Sequence, residues 1–299
     1  MKPPSHNRLS RLFLNLLYFL SVLSFLCLVL SPCAFAQERP LRTPDASIVP
    51  AGTLKAQVGF DFLQDVDFPL SGLGGDLTSA GVLSLRLGVG KIVEVQLEGT
   101  VRHFLDVQRR SGGFVTPVLT GPNSTSDTGD FSLFTKIRIL GETPKRPALA
   151  MRLGFQMPNS NQARGLGANA TNVFVEMILQ KHFGKLLVYG SAGVAILQAP
   201  AALFTQNDVL TYGVAFRYPL HRRVNLLGEV NGRHSTRDIS PNLLGTEDTS
   251  YARFGFQIFA GGFQWDLAGI AGLTRRDART GFTFGISKDV RLFDYDRIR

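Results

Sequence analysis

Two neighbours in the stretch NGRHSTRD (231–238), His234 and Ser235, are of the types that supply a nucleophile and its base. A serine hydroxyl is activated only when an imidazole lies within hydrogen-bond reach, on the same face of the element that carries both. The chain around them alternates polar and apolar residues with a period of two, the mark of a strand, where successive side chains point to opposite faces. His234 and Ser235 are therefore expected on opposite faces, and no catalytic pair follows. Glu94 and Glu98 raise the question of a two-carboxylate site. Four residues of strand span ~13 Å, and a paired-carboxylate site needs about 5–10 Å. His103, His182 and His221 sit near strand ends or turns with no recurring serine or acid beside them. Asp127, Asp130, Glu247 and Asp248 are loop carboxylates that support at most weak surface calcium binding. GLGANA (165–170) contains a GxG, but without the strand-to-helix setting of a dinucleotide site. No catalytic residue, cofactor or metal site is expected.

The remaining polar chemistry is a set of charges that share one parity. Lys55, Asp61, Arg86, Glu94, Glu98, Arg102, Lys136, Arg138, Arg152, Glu176, Arg217, Glu229, Arg233 and Arg253 all alternate with apolar side chains. DVLTYGVAFRYPL (208–220) is typical: Leu210, Tyr212, Val214, Phe216 and Tyr218 on one face, Thr211, Gly213, Ala215 and Arg217 on the other. If the apolar face met a protein core, the chain would be a soluble sandwich with Arg217 in bulk water. If it met lipid, Arg217 would line the inside of a barrel.

Three features favour lipid. Twelve alternating segments are legible, each on the order of 10–13 residues, which is long for a globular strand and the length a tilted strand needs to cross a bilayer. Short turns (GVGK, GETPKR, FGK, PLHRR, GG) alternate with longer polar connections such as QDVDFPLSGLGGD, the stretch around 106–128 and PNSNQARGLGANA. That is the pattern of outer-membrane barrels, with an even strand number. Tyr212, Tyr218, Tyr251, Phe263, Trp265, Phe282 and Phe284 lie near strand ends, where interfacial girdles belong.

The N-terminus fits this compartment. Lys2, Arg8 and Arg11 precede an apolar run (12–30) and then Ala34-Phe35-Ala36, so residues 1–36 are expected to be a signal peptide cleaved after Ala36. Removing it takes the formal charge from +9 to +6 and removes both cysteines, Cys27 and Cys33. The remaining bases are scattered and leave no footprint for nucleic acid. Residues 37–52 are expected as a periplasmic lead segment, 53–290 as the barrel and 291–299 as a C-terminal tail.

TPDASIVPAGTLKAQVGFDF, GDFSLFTKIRIL, ALAMRLGFQMPNSNQARGLGANATNVFVEMILQKHFGKLLVYGSAGVAIL and TGFTFGISKDV resemble the outer-membrane β-barrel family named after the phenol meta-degradation pathway. The resemblance covers nearly all of the chain after residue 36. It implies a transporter or channel without catalytic residues. Assembly signals of such barrels end on an aromatic residue, whereas here Val290 is followed by RLFDYDRIR, leaving Phe293 as a substitute.

The expected fold is all-β: an antiparallel up-and-down transmembrane barrel of about twelve strands. Its expected partners are outer-membrane lipids, the barrel-assembly machinery and a small solute. A barrel of this size lies between filled and open types. The inner charges either pair across strands and fill the bore or line a narrow pore with weak anion preference. A non-transporting barrel that acts through its loops is the alternative, and a lipid hydrolase is disfavoured by the His234–Ser235 geometry. The connection at 106–128 is expected either to constrict the lumen or to lie disordered on the surface.

Overall fold

The computed structural model describes residues 39–199, 207–236 and 247–294; the expected signal peptide and the last five residues lie outside the described residues. Alternation from residue 53 onward is realised as β1 (Thr53–Phe68), β2 (Leu73–Gly88), β3 (Val93–Arg110), β4 (Ser124–Asp127), β5 (Ser132–Leu140), β6 (Ala148–Gln156) and β7 (Asn172–Phe183). β8 (Leu186–Leu197), β9 (Asn207–His221), β10 (Val224–Ser235), β11 (Thr249–Ala260), β12 (Phe263–Gly272) and β13 (Thr280–Arg291) follow. Each long strand pairs antiparallel with its sequence neighbour, and β1 pairs with β13, so twelve strands close into a barrel. The short β4 lies against the upper part of β3. Closure leaves none of the twelve ring strands at an open edge, so their backbone groups can pair with one another without water.

The apolar faces look outward. Leu210, Tyr212, Val214 and Tyr218 of β9 are exposed, as are Phe254, Phe256 and Ile258 of β11, while Val209 and Ala215 are buried. A belt of this kind suits hydrocarbon as its solvent. Arg217 pairs with Leu187 and Leu227, both buried, and so belongs to the inner face. Trp265 stacks near Phe263 and Phe284, with centroids 6.4 and 6.2 Å away, at the short-turn end. Tyr251 departs from the expected girdle. It pairs with Asn231 on the inner face, and its hydroxyl accepts the Ala278 N–H.

The first two hairpins are longer than alternation alone suggests. QDVDFPLSGLGGD is not an open loop: β1 and β2 run on to a tight turn in which Ser71 and Gly72 both donate to Phe68 O. The inner faces of these extensions gather Leu73, Leu77, Leu105 and Val107, with Leu63, Val66 and Phe68 packed against them. Leu119 and Leu166, from two long connections, complete this cluster. The 106–128 connection is thus an ordered cover. Phe114 and Val115 donate to Leu70 O, and Val118 donates to Ala163 O. The GLGANA stretch is also folded, with Gly165 in the left-handed region capping a short 3-10 turn.

One inner-face assignment is wrong. Arg102 is exposed and donates to Ser126 Oγ, on the side of Phe104 and away from the lumen. The cause is a residue too many in β2 relative to β1: the consecutive Gly59 and Phe60 pair with Val82 and Ala80, leaving Gly81 (φ +65°) over. β3 keeps in step with β2, because Thr100 and Arg102 pair with Val82 and Ala80 and leave Val101 opposite Gly81. A bulge of one residue reverses the faces beyond it. Above it Ser79, His103, Leu77 and Leu105 point inward instead.

At the C-terminus β13 runs through Arg291, and the N–H groups of Leu292 and Phe293 both reach Gly52 O, at 2.8 and 3.3 Å.

Candidate functional site

The candidate site is the barrel interior, and its main feature is the lead segment. Expected to lie in the periplasm, this segment instead runs inside the barrel from Arg39 to Val49. Leu41, Thr43, Asp45, Ala46 and Val49 are all buried. A proline-containing stretch without alternation does not join the sheet, so its main-chain polar groups must be met by side chains. The wall supplies them. Val49 N–H donates to Glu94 Oε2 at 2.7 Å and Ala46 N–H to Gln180 Oε1 at 3.0 Å. The N–H groups of Arg42 and Thr43 converge on Glu229, at 2.8 Å each. In return Lys136 Nζ donates to Asp45 O (3.1 Å) and Gln257 to Arg39 O (3.3 Å).

Charge and shape follow the same course. Arg42 pairs with Asp61 at 2.8 Å, and Arg39 lies 3.8 Å from the same carboxylate. Asp45 faces Lys136 at 3.5 Å and Arg86 at 3.9 Å. Leu41 packs with Leu187, Tyr189, Ala215 and Leu227, and Ala46 with Ala148, Ala150 and Ile178. Three glycines let the segment come close: a Cβ at Gly59, Gly88 or Gly213 would overlap Arg39, the Val49–Pro50 backbone or Thr43 respectively. The contacts reach from β1 and β3 across to β7, β10 and β11, so the segment crosses the bore.

The wall is a mixed-charge lattice. Arg86 donates Nε and Nη2 to Glu94 Oε1 (2.9 and 2.7 Å), and Lys136 stands 3.2 Å from that oxygen. Arg152 bridges Glu98 (2.6 Å), Gln96 (2.7 Å) and Glu176 (3.4 Å), its guanidinium 3.6 Å above the Phe134 ring. Arg253 pairs with Glu229 at 2.9 Å, and Lys55 donates to Gln264 at 3.1 Å. Of the expected lining residues, Lys55, Asp61, Arg86, Glu94, Lys136, Arg152 and Glu229 are buried on the inner face. Glu98, Glu176, Arg217 and Arg253 share that face half-buried. Arg138 sits at the short-turn rim, donating to Lys91 O, and Arg233 at the long-loop end, donating to Glu247 O.

Several participants escaped the sequence reading. Arg39, Arg42 and Asp45 belong to a segment without periodicity. Asp266 accepts from Gln257, Gln264 and Ser287, and its alternation with Trp265 and Leu267 could have revealed it. Asp266 and Asp289, which lies 4.0 Å from Lys55, narrow the basic excess of the wall.

His234 and Ser235 do point apart: His234 pairs with the exposed Leu210, Ser235 with the buried Val209. Both hold Asp248 instead, through the ring (2.9 Å) and the Ser235 N–H (2.7 Å). The hairpin of β2 and β3 brings together a pair that no motif announces, Ser79 Oγ and His103 Nδ1 at 2.8 Å. Ser79 is buried under the folded connections, so this contact reads as structural.

No family model matches the chain, and no curated protein matches it. Among solved structures it is similar to the COG4313 outer membrane channel from Pseudomonas putida F1, with a TM-score of 0.60 and 16% identity over 84% of this chain and 100% of that one. A NanC porin (TM-score 0.47, 9% identity, 80% and 100% covered) and the CymD monoaromatic hydrocarbon channel (0.40, 10%, 83% and 90%) are more distant and carry no weight. With the closed barrel and its apolar belt, the likeness shows the fold: this chain is an antiparallel twelve-stranded barrel of the bacterial outer-membrane type.

Proposed function

We propose that this protein is a channel for the passive passage of small solutes, hydrophobic or aromatic ones included, and that residues 39–49 close its bore at rest. The observation that carries the reading is the way the segment is held. Its anchors are wall side chains such as Glu94, Gln180 and Glu229, each of which water can replace, and not a strand ladder. The aromatic range of solutes rests on the resemblance to the phenol meta-degradation family. Outer-membrane lipid surrounds the belt, the barrel-assembly machinery inserts it, and no catalysis is assigned. The wall's small basic excess gives the open state a weak anion preference.

The test is single-channel recording of the refolded chain from residue 37 in a planar bilayer under a salt gradient. Brief, discrete openings with a reversal potential on the anion side are expected. Clear cation preference would remove the assigned selectivity. A folded barrel that stays silent even without residues 39–49 would overturn the channel and favour a role for the ordered loop surface.

A further inference from the structure

We infer that Asp45 occupies a built binding site for a small carboxylate with an apolar body, and that such a solute takes its place when the bore opens. The inference rests on the channel reading above and deepens it by naming a solute class.

The site lies between β2, β3, β5, β6 and β7. Arg86 and Lys136 are fully buried, and Glu94, held by both, fixes their positions. The Asp45 carboxylate enters this frame 3.5 Å from Lys136 Nζ and 3.9 Å from Arg86, while Lys136 also takes the Asp45 carbonyl at 3.1 Å. These four groups carry two positive and two negative formal charges. Withdrawing Asp45 leaves Glu94 shared by the two cations and the set at one net positive charge, and excess charge in a buried interior is disfavoured. A carboxylate from solution restores the balance through the same contact with Lys136 and the same ion pair with Arg86.

Next to Asp45 the wall changes character. Ala46 packs into a hollow formed by Ala148, Ala150 and Ile178. The Asp45–Ala46 pair is thus a template: an anionic head against the two cations and a small apolar group beside it. Neither inorganic chloride nor a neutral alcohol satisfies both halves. Because Asp45 is tethered, a free solute competes against an effective concentration in the millimolar range, so binding is expected at about millimolar concentrations and above.

The experiment reads displacement of the segment independently of conduction. The chain after residue 36 has no cysteine, so Ser47→Cys introduces a single thiol within the segment. Its labelling rate by a membrane-impermeant maleimide is measured on the folded barrel, verified by heat-dependent gel mobility, with butyrate, butanol, butylammonium or chloride at matched ionic strength. Butyrate alone is expected to speed labelling. Asp45→Asn, which leaves the wall intact, is expected to raise the basal rate and to tighten the butyrate response about tenfold, since the internal competitor is gone. Lys136→Gln is expected to abolish the response.

An equal effect of chloride or butanol would overturn the site, and so would a butyrate response that Asp45→Asn leaves unchanged. No response to butyrate up to about 100 mM, far above the effective concentration of the tether, would do the same. If Lys136→Gln does not fold, the Asp45→Asn comparison decides alone. Labelling that responds in a barrel that never conducts would keep the site and reject the channel. Conduction without any butyrate response would reject the site and keep the channel.

Discussion

The inner face of this barrel is filled twice, by opposite means. In the short-turn half, the segment Arg39–Val49 meets a lattice of carboxylates, amides and cations through directed contacts. Beyond the Gly81 bulge, the extended hairpins enclose Leu73, Leu77, Leu105 and Val107 under two folded connections. A buried leucine contributes about 2–3 kcal/mol that water cannot return. A hydrogen bond contributes only about 0.5–1.5 kcal/mol net, because water replaces it on opening. The first filling is held mostly by bonds that water can replace, with Leu41 and Ala46 as its apolar contacts, whereas the second is held by apolar burial. On the channel reading proposed above, the first is the one that exchanges for solvent and solute. Alternation lines both halves of the wall, but one half is filled by a segment without periodicity and the other by the strands' own extensions.

The largest effect should come from removing the exchangeable filling altogether. Deleting residues 39–49 is expected to convert brief openings into a long-lived conducting state, seen as larger and persistent current steps, with the barrel still heat-modifiable on a gel. A smaller version targets one anchor. Glu229 receives the N–H groups of Arg42 and Thr43 together with Arg253. At about 1.5–3 kcal/mol for a bond to a charged group, Glu229→Ala is expected to raise open probability about tenfold or more. If it leaves open probability unchanged, the segment is not the moving part.

The apolar filling should answer differently. Leu105→Ala is expected to destabilise the hairpin cap by about 2–4 kcal/mol, increasing hydrogen exchange across 106–130 and leaving conductance as it was. A conductance change as large as that of Glu229→Ala would erase the distinction between the two halves.

The smallest effect lies outside the membrane, in the turn between β5 and β6. Burial raises the Glu142 carboxyl, but the N–H and ring of His182 outweigh it and hold the group below its ordinary 4.5. A lowered folded value means that this contact stabilises the turn above pH 4.5 and is lost as pH falls through the folded value. Amide exchange at His182 should accelerate over that window, and Glu142→Gln should remove the pH dependence.

How much of this could be read beforehand follows from the range of each signal. Strand faces are a local property, so Lys55, Arg86, Glu94 and Glu229 were legible from their neighbours alone. Arg102 was not, because β3 follows the irregularity at Gly81 of β2, with Val101 and Arg102 both exposed, in a stretch whose sequence still alternates regularly. The Ser79–His103 contact depends on the same bulge and on hairpin register. The lead segment was invisible for another reason. Leu41, Asp45 and Ala46 have no period to betray a buried face, and each finds its partners on strands far along the chain.

That distance also sets an order of events. Ala46 reaches a residue 134 positions away, Thr43 one 186 away, and Arg39 one 218 away. None of these partners stands in place until the strands that bear them are paired, so the segment nearest the N-terminus docks after the ring has closed. It is synthesised before every strand that holds it, yet docks after them. On the channel reading, the same order run backwards makes it the first to let go, a local opening that leaves the strand ladders intact.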